Sequence, residues 1–181
     1  MALRPLVVAG AFTMGPAGVN GALIYAVAGD VLGRSPALVL YAVQGAGSVV
    51  SGVVAGPLLR RLGERGFMTA GIALFAVAVG GRALPYDATA PACSGLIGAG
   101  LPCVVIGALT AVQRRTPDAV LGRTAATANT LLFVPNALAL ALGAALVAVV
   151  DARVLLPVPA VAGLVTAAVL GLPGLRGTGR P

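Results

Sequence analysis

Asn20, Gln44, Ser48, Asn129 and Asn136 are amides and a hydroxyl set inside otherwise apolar runs of this sequence. Gln44, Ser48 and Ser51 follow an i, i+4, i+7 spacing that brings them to one face of a helix. Asn129 and Asn136, seven residues apart, share a face in the same way, and Thr13 and Ala17 lie on the face of Asn20. Such groups exchange hydrogen bonds without titrating near neutrality. Each can join two helices, at about 1–2 kcal/mol at most per interhelical bond. As a set they can line a cavity for an uncharged or amphipathic small molecule. Arginine supplies the other chemistry. Half of the twelve basic residues fall in two runs, Gly56-Pro-Leu58-Leu-Arg60-Arg61-Leu-Gly63-Glu64-Arg65 and Gln113-Arg-Arg-Thr-Pro117-Asp-Ala-Val-Leu-Gly122-Arg123.

Several chemistries are excluded by what surrounds these residues. Histidine is absent and acids number five, so no metal set can be assembled. No nucleophile stands beside a base, and neither an enzyme nor a bound cofactor is expected. Cys93 and Cys103 are ten residues apart on one expected helix, about 15 Å by helical rise, too far for a disulfide; they read as small apolar fillers. Gly45-Ala-Gly47-Ser-Val-Val matches the start of a dinucleotide fingerprint but lacks its strand and turn. The small residues there suit helix packing instead, with Ser48, Gly52 and Gly56 forming a small-xxx-small ridge. Aromatic residues are only 4% of the chain and none lies in either arginine run, which argues against nucleic acid.

The elements that position these residues follow from hydropathy. Hydrophobic residues make up 59% of the chain, against roughly 45–50% in soluble domains, and the mean hydropathy is +1.02. Six stretches carry no charged side chain, and each approaches or exceeds the roughly 17–25 residues of a transmembrane helix once the third is extended past Arg82. They predict an all-α membrane protein, a single domain over 1–181, with six transmembrane helices near 5–28, 36–59, 67–84, 91–113, 124–150 and 154–172. The runs are too long and too unalternating for barrel strands. With the N-terminus cytoplasmic, the inner side holds Arg4, Arg60, Arg61, Arg65, Arg114, Arg115, Arg123, Arg176 and Arg180, and the outer side only Arg34, Arg82 and Arg153. The positive-inside rule then puts both termini in the cytoplasm. The net +7 charge sits wholly on that face, because Asp30, Asp87 and Asp151 balance the outer arginines. Topological anchoring is the simplest role for the arginine runs, with attraction to anionic headgroups beside it. Ala26-Val27-Ala28 resembles a signal-peptidase site, yet the apolar run before it is too long for a signal peptide, so an uncleaved first helix is expected.

Helices one, two, four and five carry the polar residues, whereas three and six are nearly pure Ala, Val, Leu and Gly. The pattern repeats as two three-helix units, with the third helix of each expected to face lipid. At this level the sequence resembles the C-terminal six-helix half of a major facilitator superfamily (MFS) transporter of the bacterial efflux type. The segment from Gly56 to Arg65 is similar to the family's cytoplasmic loop signature G-x-L-x-D-R-x-G-R-R. Gly56, Leu58, Arg61, Gly63 and Arg65 match it, while Arg60 stands at the Asp position and Glu64 at the first of the final arginines. The segment from Gln113 to Arg123 resembles the family's link between the fourth and fifth helices of a half, Q-x-x-x-P-x-x-x-x-G-R. The resemblance covers the whole chain but half the family's usual length.

The resemblance implies one half of an efflux-type secondary transporter in the bacterial cytoplasmic membrane, rocking against a second six-helix half, as a homo- or heterodimer. Asn20, Gln44, Ser48, Asn129 and Asn136 are then expected to line the substrate cavity, and a small hydrophobic or amphipathic molecule to be the substrate. Gly56, Arg60, Arg61, Gly63, Arg65 and Arg123 are expected to form the cytoplasmic gate, with Arg61 and Arg65 on helix-end carbonyls and Arg123 on a nearby acid. None of the six stretches holds a titratable coupling residue, so any coupling carboxylate is expected in the partner half. The rival expectation is a transport-incompetent protein, truncated or accessory, that retains the half-fold.

Overall fold

A computed structural model describes residues 3–26, 37–82, 89–150 and 152–172. Arg34, Asp30, Asp87, Asp151, Arg176, Arg180 and the last two residues of the small-residue motif, Val27 and Ala28, lie outside the described residues, as does the side chain of Arg153. Among the described residues there is no strand. The helices are α1 (Leu3–Ala26), α2 (Ala37–Gly81), α3 (Thr89–Arg115), α4 (Asp118–Val147), α5 (Ala152–Leu155) and α6 (Pro157–Gly171). The first four are long and apolar enough to cross a membrane, and α6 is a shorter apolar helix.

Proline sets several ends. Thr116 precedes Pro117, and the residue before proline is disfavoured in helical conformation, so α3 stops at Arg115. Pro157 opens α6, where a missing N–H costs nothing, and Leu172 leaves it in an extended conformation ahead of Pro173.

The 45 residues of α2 would reach roughly 68 Å if straight, over twice the hydrocarbon core of a bilayer. They do not run straight, because Gly63 breaks the helix at φ 68°, ψ 169°. Only glycine adopts that region readily. The neighbours on α3 show that the chain reverses there. Along the first limb, 37–62, Gly47 meets Gly95 and Ser51 meets Cys103, so this limb runs parallel to α3. Along the second limb, 64–81, Met68 meets Gly107, Gly71 meets Gly100, and Gly81 meets Cys93, so it runs antiparallel. The loop expected between helices two and three is therefore compressed into one residue, with helix on both sides.

Close glycine contacts orient the other helices as well. Gly10 lies against Leu132, Gly18 against Asn136 and Gly143 against Val19, so α1 and α4 are parallel. Gly163 lies against Ala76, and Gly171 against Thr69, so α6 descends along the second limb. Leu3, the Gly63 turn, the α3–α4 turn and the end of α6 thus gather at one end. Arg4, Arg60, Arg61, Arg65, Arg114, Arg115 and Arg123 all lie there.

The second limb of α2 corrects the expectation that the third helix faces lipid. Phe67, Met68, Ile72, Phe75, Ala76, Ala78 and Val79 are buried among α1, α3 and α6. Its small residues serve backbone approach: a Cβ on Gly71 would stand 2.5 Å from the Cβ of Cys103 and 2.7 Å from the carbonyl oxygen of Gly100. In a membrane, where burial from lipid gains little, close contact of this kind is what holds helices together. The expected ridge on the first limb is corrected as well. Ser48 packs on α3, but Gly52 has nothing within 4 Å and Gly56 meets only the tip of Arg60, so the close approach is made by Gly47.

Substituting Gly63→Ala forces a side chain into this φ/ψ region and should lower stability by about 1–3 kcal/mol. Unfolding in detergent micelles checks this, with Gly52→Ala, in open space, as the nearly neutral control.

Candidate functional site

A cleft of about 500 Å³ opens between α1, the first limb of α2, α3 and α4. Its size falls within the usual range of small-molecule sites. Its walls are mostly apolar, with Met14, Leu101, Val105 and Phe133 among them, and four polar side chains reach it: Tyr41, Gln44, Ser48 and Asn136.

Local backbone chemistry places these four. Pro102 sits inside α3 and has no N–H to give to the carbonyl of Gly98. Ser48 Oγ donates to that carbonyl at 3.0 Å, and also lies 3.1 Å from its own Gln44 carbonyl. The two helices cross closely enough that a Cβ on Gly98 would come within 1.9 Å of the Gln44 carbonyl oxygen. Across the cleft, Asn136 Nδ2 donates to the Met14 carbonyl at 3.2 Å, where Gly18 lets α1 and α4 touch backbone to backbone. Tyr41 donates to the Gly21 carbonyl at 3.4 Å. Gln44 Oε1 is buried without a partner among the described residues. The hydroxyls of Thr124, Thr127 and Thr130 on α4 each bond a carbonyl four residues back, so they ask nothing of a neighbour. An amide cannot be satisfied that way as readily, which singles out Gln44 and Asn136.

The other two amides expected in the cavity lie elsewhere. Asn129 is exposed on α4, about 10 Å along the helix from Asn136, and makes no side-chain hydrogen bond among the described residues. Asn20 is buried and turned away from the cleft. Its Oδ1 accepts from Arg82 Nη1 at 2.9 Å. Arg82, counted from the sequence on the outer side near the end of the third helix, is only 1% exposed, and its Nη2 donates to Ser94 Oγ at 2.7 Å. Ser94 Oγ in turn reaches the Ala90 carbonyl at 2.8 Å. One guanidinium therefore ties α1, the end of the second limb and α3 together, one helical turn beyond Gly98 of the cleft. Its Nε–H has no partner among the described residues. The signal was present in the sequence: the uncharged run Phe67–Gly81 is too short to span, so the last turn has to take Arg82 inward.

The arginine-rich end is organised by the two residues after Gly63. Glu64 forms ion pairs with Arg114, at 3.4 Å, and with Arg115, which joins the two arginine runs. Arg65 turns the other way: its Nε donates to the Leu170 carbonyl at 2.6 Å and its Nη2 to that of Leu172. These are helix-end carbonyls, which carry partial negative charge. Arg60, Arg61 and Arg123 are exposed and form no ion pair among the described residues, so the expected pairing of Arg123 with an acid is not found there. Gly56 lies on the open face of the first limb. Both cysteines are free and buried, and Cys103 is more than a filler, since its Sγ lies 3.2 Å from Ser51 Oγ.

Asn20→Leu should cost about 2–3 kcal/mol, because it strands a buried charged donor. Replacing both partners, Asn20→Leu with Arg82→Met, should recover most of that loss. Asn129→Leu should change stability by less than about 0.5 kcal/mol. Equal losses in Asn20→Leu and Asn129→Leu, read from unfolding in micelles, would contradict the clamp. In comparisons with known proteins, no family model, no curated protein and no solved structure matches this chain.

Proposed function

We propose that this chain is one half of a secondary transporter, six spans of an MFS-like fold, working against a second six-helix half in a bacterial cytoplasmic membrane. The observation that carries this reading is the cleft. α1 and α3 form its floor, the first limb of α2 and α4 flank it, and Gln44, Ser48 and Asn136 project into it from mid-helix. Transporter sites lie near the midplane where two such units meet. The up-and-down path, with the Gly63 reversal counted as a turn between two spans, supports six crossings with the arginine-rich end in the cytoplasm.

In this mechanism the partner half supplies the opposite wall, and rocking of the two units exposes the cleft to each side in turn. The amides of Gln44 and Asn136 orient the cargo through hydrogen bonds, and the apolar walls select a small hydrophobic or amphipathic molecule. Glu64, Arg114, Arg115 and Arg65 hold the ends of the second limb, α3 and α6 as one body on the cytoplasmic side. That leaves the exposed Arg60, Arg61 and Arg123 to meet the partner half when the gate closes.

One observation favours a second reading, an accessory protein without transport of its own. Among the described residues no carboxylate lines the cleft, so proton coupling has to come from elsewhere.

The double variant Gln44→Leu with Asn136→Leu should reduce efflux of amphipathic dyes from expressing cells by roughly ten-fold or more, the weight of two lost hydrogen bonds. Membrane insertion should be unchanged. Efflux at the parental level in this variant would remove both residues from the transport path and favour the accessory reading.

A further inference from the structure

A second, largely apolar groove of about 300 Å³ runs between α1 and α6 at the arginine-rich end. Pro5, Val8, Phe12, Val169 and Leu170 line it, and Phe12 is 69% exposed. Its one polar residue, Thr166, is already satisfied, since its hydroxyl donates to the Ala162 carbonyl at 2.8 Å. The groove offers nothing to a polar ligand along its length. Its mouth is different. Arg4 is exposed and precedes Pro5, one of the lining residues. Arg65 is fixed to the carbonyls of Leu172 and of Leu170, another lining residue. Carbonyls orient a guanidinium without neutralising it. No carboxylate among the described residues pairs with either arginine, because Glu64 is taken by Arg114 and Arg115.

We propose that this groove is a binding site for an anionic phospholipid, with an acyl chain along Val8, Phe12 and Val169 and the headgroup phosphate at the end that carries Arg4 and Arg65. Charge decides the headgroup. A zwitterionic lipid brings its own cation to a mouth that holds two, whereas a phosphatidylglycerol phosphate neutralises it. A basic residue near the membrane surface attracts anionic lipid by about 1 kcal/mol, or roughly five-fold in relative affinity. This site is independent of transport and requires only that the chain lies in a bilayer. The fixed Arg65 and the shaped groove distinguish it from general attraction of a basic face.

The chain contains no tryptophan, so Phe12→Trp places a single fluorophore in the groove. The reconstituted full-length variant is titrated with brominated phosphatidylglycerol or brominated phosphatidylcholine, and quenching gives the relative affinity at that position. A preference for phosphatidylglycerol of roughly five-fold or more is expected, falling about five-fold when Arg4→Gln is added and kept by Arg4→Lys. The Arg4 variants keep the test independent of Arg65, whose loss also removes contacts to α6. Leu138→Trp, on the exposed face of α4, should show no preference. Equal quenching by the two lipids at Phe12→Trp overturns the site, as does a preference unmoved by Arg4→Gln or matched at Leu138→Trp. Loss of the preference on adding soluble glycerol phosphate would make it a free-anion site and overturn the lipid assignment.

Discussion

The fold depends on backbone contact along α3. Gly98 receives the first limb of α2, and Gly100 and Gly107 receive the second, at distances where a Cβ would overlap backbone or side-chain atoms. In lipid, apolar side chains gain little by turning inward, so contact density and satisfied polar groups have to hold the helices. Glycine gives the contact density. The reversal at Gly63 is what makes both contacts possible, since a straight α2 could lie on α3 along only one of its limbs.

Polar groups divide according to whether their own helix can satisfy them. Threonine and serine hydroxyls return to carbonyls four residues back, and most of those among the described residues do so. Amides and the guanidinium need another helix. Asn20 and Arg82 meet each other at one end of the bundle and lock three elements. Asn136 and Ser48 cross between helices beside the cleft, and Gln44 keeps a buried oxygen unpaired there. The same requirement therefore makes a clamp in one place and a candidate site in another. What separates them is whether a partner of matching charge and geometry is within reach.

The helical class and the clustering of arginine at one end were legible in the sequence, because length without charge and the position of charge follow directly from bilayer thickness. The cleft was legible in part: Gln44 and Ser48 share a helical face, and Asn136 meets them across the bundle. Asn20 could not be assigned, since its role depends on Arg82, 62 residues away in sequence. The burial of the second limb was misread for a physical reason. A helix of Ala, Gly and Val lacks polar groups whether it faces lipid or packs tightly, and only the density of small residues favours packing. Glu64 also changes meaning once its partners are known, from a departure from a loop signature to the acid that joins both arginine runs.

The proposed transport role requires the amide-lined cleft to be one wall of a site completed by a second six-helix unit. Native mass spectrometry of the complex, drawn from its own membranes in mild detergent, tests it most directly. The 17.6 kDa chain is expected as a twofold assembly or bound to a second six-helix chain. Recovery of the single chain alone, with no partner of either kind, would contradict it.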